Sequence, residues 1–293
     1  MRRLFELFIL LVITSTATAQ QGFQLDLATG ICNYQGDLQP AVFTFAHSRP
    51  CFFGSLKYGL SPKFFIRGGF GVGSVGAQDA GTNRDLEAGR NLSFNTDIQE
   101  VSLGLEYRFV NPNTFRWTPY VFACIGAFHF DPTANYLGQT VHLQPLGTEG
   151  EGLPGYPPKY SLTQMCIPFG GGIRYQINCE LNIGLEFGNR KLFTDYLDDV
   201  SGNYADKAAL LAGNGQLAVD LAYRGNEINP NNQYPAAGSV RGNPSQKDWY
   251  YFFGFTVGLK FYDCETGLLS MGGLFNKPHY HKKRSRIDCP TVN

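Results

Sequence analysis

The residues of this chain best suited to chemistry come in small groups, and none composes an active site. Asp195, Asp198 and Asp199 sit in the run Thr194-Asp195-Tyr196-Leu197-Asp198-Asp199-Val200-Ser201-Gly202 and offer oxygen donors for a hard cation such as calcium. Their spacing lacks the regular alternation of an EF-hand loop, so solvated turn residues are expected and no metal is assigned. His129 and His142 have the chemistry a barrel lipase or deacylase needs from a base, yet no nucleophile motif accompanies them. His129 therefore reads as a wall or rim residue. Gly69-Phe70-Gly71-Val72-Gly73 and Gly170-Gly171-Gly172 have the glycine density of phosphate loops. They lie inside strand patterns with no helix following, so the nucleotide fingerprint fails. The sequence implies no enzyme, no catalytic residue and no cofactor.

A larger set of charges follows a different rule. Asp26, Lys57, Arg67, Glu100, Glu106, Arg108, Arg174, Glu186, Arg190 and Lys260 all occupy the polar phase of a two-residue alternation. The clearest case is Glu100-Val101-Ser102-Leu103-Gly104-Leu105-Glu106-Tyr107-Arg108-Phe109, whose odd positions are apolar and even positions polar or small. A period of two belongs to a strand whose faces meet different surroundings. About ten residues is the length at which a tilted strand crosses a bilayer. With lipid outside and a polar lumen inside, every one of the ten charges falls on the lumen face. On the lipid face a midplane Lys or Arg would cost roughly 2–4 kcal/mol each, more than a marginally stable fold can absorb several times over.

Eight strands are expected, at about 22–32, 50–60, 64–73, 97–109, 117–130, 162–175, 181–191 and 248–261. The fifth is apolar on both faces and its lipid side cannot be assigned from its pattern. Links after the second, fourth and sixth strands are short, whereas the others are long, the alternation of periplasmic turns with extracellular loops in bacterial barrels. The fold class is all-β: an eight-stranded antiparallel transmembrane β-barrel with long extracellular loops and a short periplasmic C-terminal tail. Eight strands enclose a lumen just wide enough for side chains to fill, so a packed ionic plug is expected, with a conducting pore as the alternative.

Composition agrees. The 293 residues include 35 Gly, 14% aromatic and only 16% charged residues, against about 7% Gly and about 25% charge in ordinary globular chains. Glycine spares space inside a narrow barrel and aromatics form interfacial girdles. The net charge of zero gives no basis for a nucleic-acid partner. Arg2 and Arg3, the apolar stretch Leu7 to Ile13 and the Ala17-Thr18-Ala19 site read as a secretory signal over 1–19, cut before Gln20. The barrel then occupies 20–261 and the tail 262–293, with both mature termini in the periplasm of a Gram-negative outer membrane. The tail carries Lys282, Lys283, Arg284 and Arg286, candidates for docking a periplasmic partner or touching anionic lipid. Cys32 and Cys51 flank the first loop and would pair if their registers match; Cys179, Cys264 and Cys289 lie at the other end, and Cys124 and Cys166 read as small wall residues.

Several longer pieces carry a family resemblance. They are Ile31-Cys32-Asn33-Tyr34-Gln35-Gly36-Asp37-Leu38, Thr118-Pro119-Tyr120-Val121-Phe122-Ala123, Leu143-Gln144-Pro145-Leu146-Gly147-Thr148-Glu149-Gly150 and Leu185-Glu186-Phe187-Gly188-Asn189-Arg190. The Thr194 to Ser201 segment, Arg241-Gly242-Asn243-Pro244 and Cys289-Pro290 belong with them. Together they resemble the DUF6089 family of outer-membrane barrels from Bacteroidota, which includes a component of the type IX secretion system. The resemblance implies a barrel embedded in outer-membrane lipid that associates with a periplasmic ring made of a lipoprotein and its partner. It supplies no catalytic residue. The alternative function is a small pore or a barrel of unrelated structural role.

Overall fold

A computed structural model of the chain describes residues 22–41, 44–45, 47–79, 89–111, 115–178 and 180–261. The signal at 1–19, the tail at 262–293 with Lys282, Lys283, Arg284 and Arg286, and Cys179, Cys264 and Cys289 lie outside the described residues. The wall is made of β1 (Phe23–Gln35), β2 (Arg49–Gly59), β3 (Phe64–Gln78), β4 (Ser93–Arg108) and β5 (Trp117–Tyr136), followed by β7 (Thr163–Gln176), β8 (Leu181–Leu192) and β9 (Trp249–Lys260). A short strand β6 (Gln139–His142) folds back on the end of β5. Each wall strand pairs antiparallel with its sequence neighbours, and β1 pairs with β9, which closes an eight-stranded barrel.

Alternation sets the two faces. Val101, Leu103 and Leu105 on β4 and Ile125 on β5 look outward and are more than half exposed, the surface a lipid belt requires. Rings gather at the short-turn end: Phe23 with Tyr58, Phe64 with Tyr107 and Trp117 with Tyr175 stand 4.9–5.2 Å apart, an aromatic girdle at a membrane boundary. The inward phase carries charge over the lower barrel and turns apolar above it, with Val75, Ala77, Phe94, Phe130 and Ala134 buried.

Several strands run further than their lipid faces suggested. β3 reaches Gln78, β4 begins at Ser93 and β5 extends to Tyr136. Their outward residues there, such as Asn95, Asp131 and Asn135, are polar, so the apolar alternation ends although the sheet does not. The inward residues still fill a core, and that is what sustains the wall above the lipid.

The long connection between β8 and β9 holds three short helices, α1 (Lys207–Asn214), α2 (Gln216–Ala222) and α3 (Gly225–Ile228). Asp206 caps α1 by accepting from the Ala209 N–H at 2.8 Å. Ala205, Leu210, Ala218, Val219 and Ala222 pack into a small core of their own. Leu197, Val200 and Leu221 join Leu38, Leu92 and Leu143 in a second cluster that continues down to Phe128 and Phe252 inside the barrel. The long loops thus fold into a cap over the mouth rather than waving above it.

Candidate functional site in the lumen and cap

The fifth strand's two apolar faces have different duties. Tyr120, Phe122, Phe128 and Phe130 point inward and are buried, while Val121 and Ile125 meet lipid. The inward rings lie beneath guanidinium groups: Arg174 stands 3.5 Å from the Tyr120 ring centroid and Arg67 4.0 Å from that of Phe122. Arg108 is 3.6 Å from Phe65 in the same manner. A lumen arginine needs such a face, a requirement that strand periodicity cannot register.

All ten residues of the lumen charge set are buried. Glu106, fully enclosed, is the hub. It pairs with Arg174 at 2.6 Å, Lys57 at 2.5 Å, Arg108 at 3.1 Å and Arg67 at 3.4 Å. Asp26 holds Lys57 from the other side and lies 3.0 Å from Arg174. Glu186 takes Arg67 through two bonds of 2.6 and 2.9 Å and accepts from the Tyr120 hydroxyl at 2.7 Å. Higher up, Glu100 accepts from Arg190 at 2.9 Å and from the Tyr250 hydroxyl at 2.6 Å. Lys260 closes the short-turn end, in register with Gln24 of β1. Four acids face six bases in this set, and the aromatic faces take up part of the cationic excess.

The cap joins segments that are distant in sequence. Arg241 pairs with Glu149 at 2.8 Å and donates to the Asp199 carbonyl at 2.6 Å. Glu149 also accepts from the Ser201 and Gly202 N–H groups, both at 2.9 Å. Asp199 accepts from the Thr148 and Tyr160 hydroxyls at 2.6 Å each. Arg90 grips Asp79 through two bonds of 2.8 Å. Asp37 takes the Asn243 N–H, which ties the first loop to Arg241-Gly242-Asn243-Pro244. Four of the pieces that carry the family resemblance therefore meet in one buried network.

This placement corrects the expectation of solvated turns at Asp195, Asp198 and Asp199. Each is only 1% exposed. Their oxygens also serve separate partners: Asp195 takes the Ser201 hydroxyl, and Asp198 takes the Tyr34 hydroxyl at 2.6 Å. No group of three His, Cys, Asp or Glu able to hold a metal occurs among the described residues. Burial pushes Asp195 up to about 7, against its bond from Ser201, and Asp199 up to about 6, against the pull of Arg241. Glu151 rises to about 7, chiefly through burial and then through Asp199 and Glu149 nearby.

The remaining candidates lie elsewhere. His129 is on the outer wall with Nδ1 3.1 Å from the Thr163 hydroxyl, and His142 pairs with Asp131 at 2.8 Å. The two are not brought together with a nucleophile. Cys32 and Cys51 are free thiols because their registers do not match: Cys32 faces Arg49 and Cys51 faces Gly30. Cys124 and Cys166 are likewise buried and free.

Among solved structures, the chain is similar to Ail of Yersinia pestis in complex with the heparin analogue sucrose octasulfate. They share 9% identity over 82% of this chain and 99% of that one, at a TM-score of 0.40. Neisserial surface protein A is 8% identical over 82% and 97% of the two chains at 0.41, and OprG from Pseudomonas aeruginosa 10% over 82% and 99% at 0.35. No curated protein matches. The family model described as domain of unknown function DUF6089 matches residues 2–223, and the chain belongs to that family.

Proposed function

We propose that this chain is a non-enzymatic, architectural barrel of the outer membrane and a structural component of type IX protein secretion machinery. In this reading it associates with a periplasmic ring of a lipoprotein and its partner. The cap faces outward, both mature termini lie in the periplasm, and the short turns and the tail make the ring contact. The observation that supports an architectural role is the filled lumen. Glu106 and its four cations occupy its lower section, Phe128, Phe130 and Phe252 its upper section, and the cap its mouth. A lumen whose described side chains are buried in this way favours this reading over the small pore.

The secretion assignment draws on the resemblance to the family that includes PorG. It is tested by purifying the tagged protein from mild detergent, with and without residues 262–293, and identifying what accompanies it. Recovery of the ring lipoprotein and its partner is the expected result, and loss of both with the tail would locate the contact. Recovery of neither, with steady current across a planar bilayer that changes on neutralising Arg67 or Glu106, would replace this reading with the pore.

A further inference from the structure

Immediately above the lipid belt, on the outer face of β4, β5 and β6, lies a groove of about 450 Å³. That volume is within the range of small-ligand sites. Its floor follows from register: Gln99 lies opposite His129, Asp97 opposite Asp131 and Asn95 opposite Thr133, and all six lie in the outward phase of their strands. β6 adds His142, opposite Thr133 on the other side of β5. The β5–β6 hairpin forms one wall, turning tightly at Leu137 and Gly138 with φ of 51° and 80°.

The donor set restricts the ligand. Arg49 donates to the Asn95 carboxamide and Arg224 to the Asn135 carbonyl, both on lining residues, while two carboxylates lie side by side on the floor, so an anionic group would meet cations at those two residues and like charge at the floor. The carboxylates do not form a metal cluster with the histidines. What remains is a mixture of carboxylate acceptors, carboxamides, hydroxyls and imidazoles, a set able to bond the paired hydroxyls of a sugar ring. Position restricts it further. The outward residues directly below on the same strands are Val101, Leu103, Leu105 and Ile125, so a lipid lying along them would hold its headgroup at the groove.

We propose that this groove binds the saccharide headgroup of an outer-leaflet glycolipid, with Asp97 and Gln99 as the principal sugar contacts. The proposal rests on the outward orientation of the cap given above. That premise is checked separately by labelling Val240→Cys on intact cells with a membrane-impermeant maleimide. The test of the groove uses the mature full-length protein in nanodiscs of mixed lipopolysaccharide and phosphatidylethanolamine. Native mass spectrometry reads the lipid retained as the disc is stripped. Retained lipopolysaccharide is expected to exceed its bulk proportion at least fivefold and to be competed by the deacylated core oligosaccharide. Asp97→Ala and Gln99→Ala, both exposed positions outside the core, should each lower retention at least threefold with thermal unfolding unchanged. Three results would overturn the proposal: retention at the bulk proportion, retention unaltered in both variants, or retention that the free saccharide does not compete.

Discussion

Replacing Glu106 with Gln keeps the side chain's shape and removes one charge from the centre of the lumen. Four cationic groups stand within 3.4 Å of that carboxylate, and Glu106 is wholly enclosed. The lower cluster changes from Asp26, Glu106 and Glu186 facing Lys57, Arg67, Arg108 and Arg174 to two acids facing the same four bases. The new amide also turns a donor toward groups that are all donors. Breaking a buried ion pair by removing one partner costs about 3–5 kcal/mol, and here one partner serves several. Against a total of roughly 5–15 kcal/mol, that is a large fraction of stability. The measurement is urea unfolding of the reconstituted barrel followed by fluorescence of Trp117 and Trp249, both in the wall. A second substitution, Lys57→Met, removes the nearest cation. The Glu106→Gln/Lys57→Met double variant should recover part of the loss, with a coupling of about 0.5–3 kcal/mol. A single-variant loss under about 1 kcal/mol, or strict additivity in the double variant, would refute the charge-hub reasoning.

Further outcomes follow from the cap and the wall. Asp195 and Glu151 are raised by burial from ordinary values of 3.8 and 4.5 to about 7, so the stability their neutral forms give the cap is complete below about pH 4 and lost as pH rises to about 7. Hydrogen exchange over residues 194–202, corrected for intrinsic rate, should accelerate from pH 5 to pH 8, and Asp195→Asn should flatten that trend. Leu103→Lys, on the lipid face, should cost about 2–4 kcal/mol in bilayer unfolding, while Val240→Lys on the exposed cap should stay within about 0.5 kcal/mol. At Gly104 a β-carbon would lie 2.7 Å from the Cys124 sulfur, so Gly104→Leu overpacks the lumen and should cost about 1–3 kcal/mol by the same unfolding assay.

The wall was legible because lipid imposes a rule on every second residue. Val101, Leu103 and Leu105 could not be exchanged with Glu100, Ser102 and Gly104 without exposing charge to hydrocarbon, so their order declares their faces. Where the strands rise above the lipid the rule lapses. Asn95 looks like a loop residue, and the stretch before position 97 is marked as strand only by the buried Phe94 and Thr96 on either side of it. The cap was not legible for another reason. Arg241 and Glu149 are 92 positions apart, and their pairing depends on how two loops fold over a mouth neither defines alone. Asp198 and Asp199 look like turn residues, since Asp favours turns. Only the placement of Tyr34, Thr148 and Tyr160 makes them buried acceptors.

The buried carboxylates around Tyr34 show why such a cap favours one closed arrangement. The Tyr34 hydroxyl lies 2.6 Å from Asp198 and 3.0 Å from Asp248, yet it carries one proton and can donate to only one of them. The second oxygen of Asp198 takes the Val200 N–H, and that of Asp248 takes the Leu197 N–H. A second proton must therefore reside on one carboxyl, consistent with burial holding both acids well above their usual range. Three groups, from the first strand, the loop after β8 and the residue just before β9, are locked by that shared proton. The Tyr34 hydroxyl has its acceptors only while both acids stay in place. Opening the mouth would expose two acids that then ionise and repel, so partial opening is disfavoured relative to full closure or full release. Asp248→Asn supplies the missing donor permanently. It should slow exchange over the 194–202 segment relative to the native protein at pH 8, although Asp195 and Glu151 still ionise there, and equal exchange in the two proteins at that pH would refute the shared-proton lock.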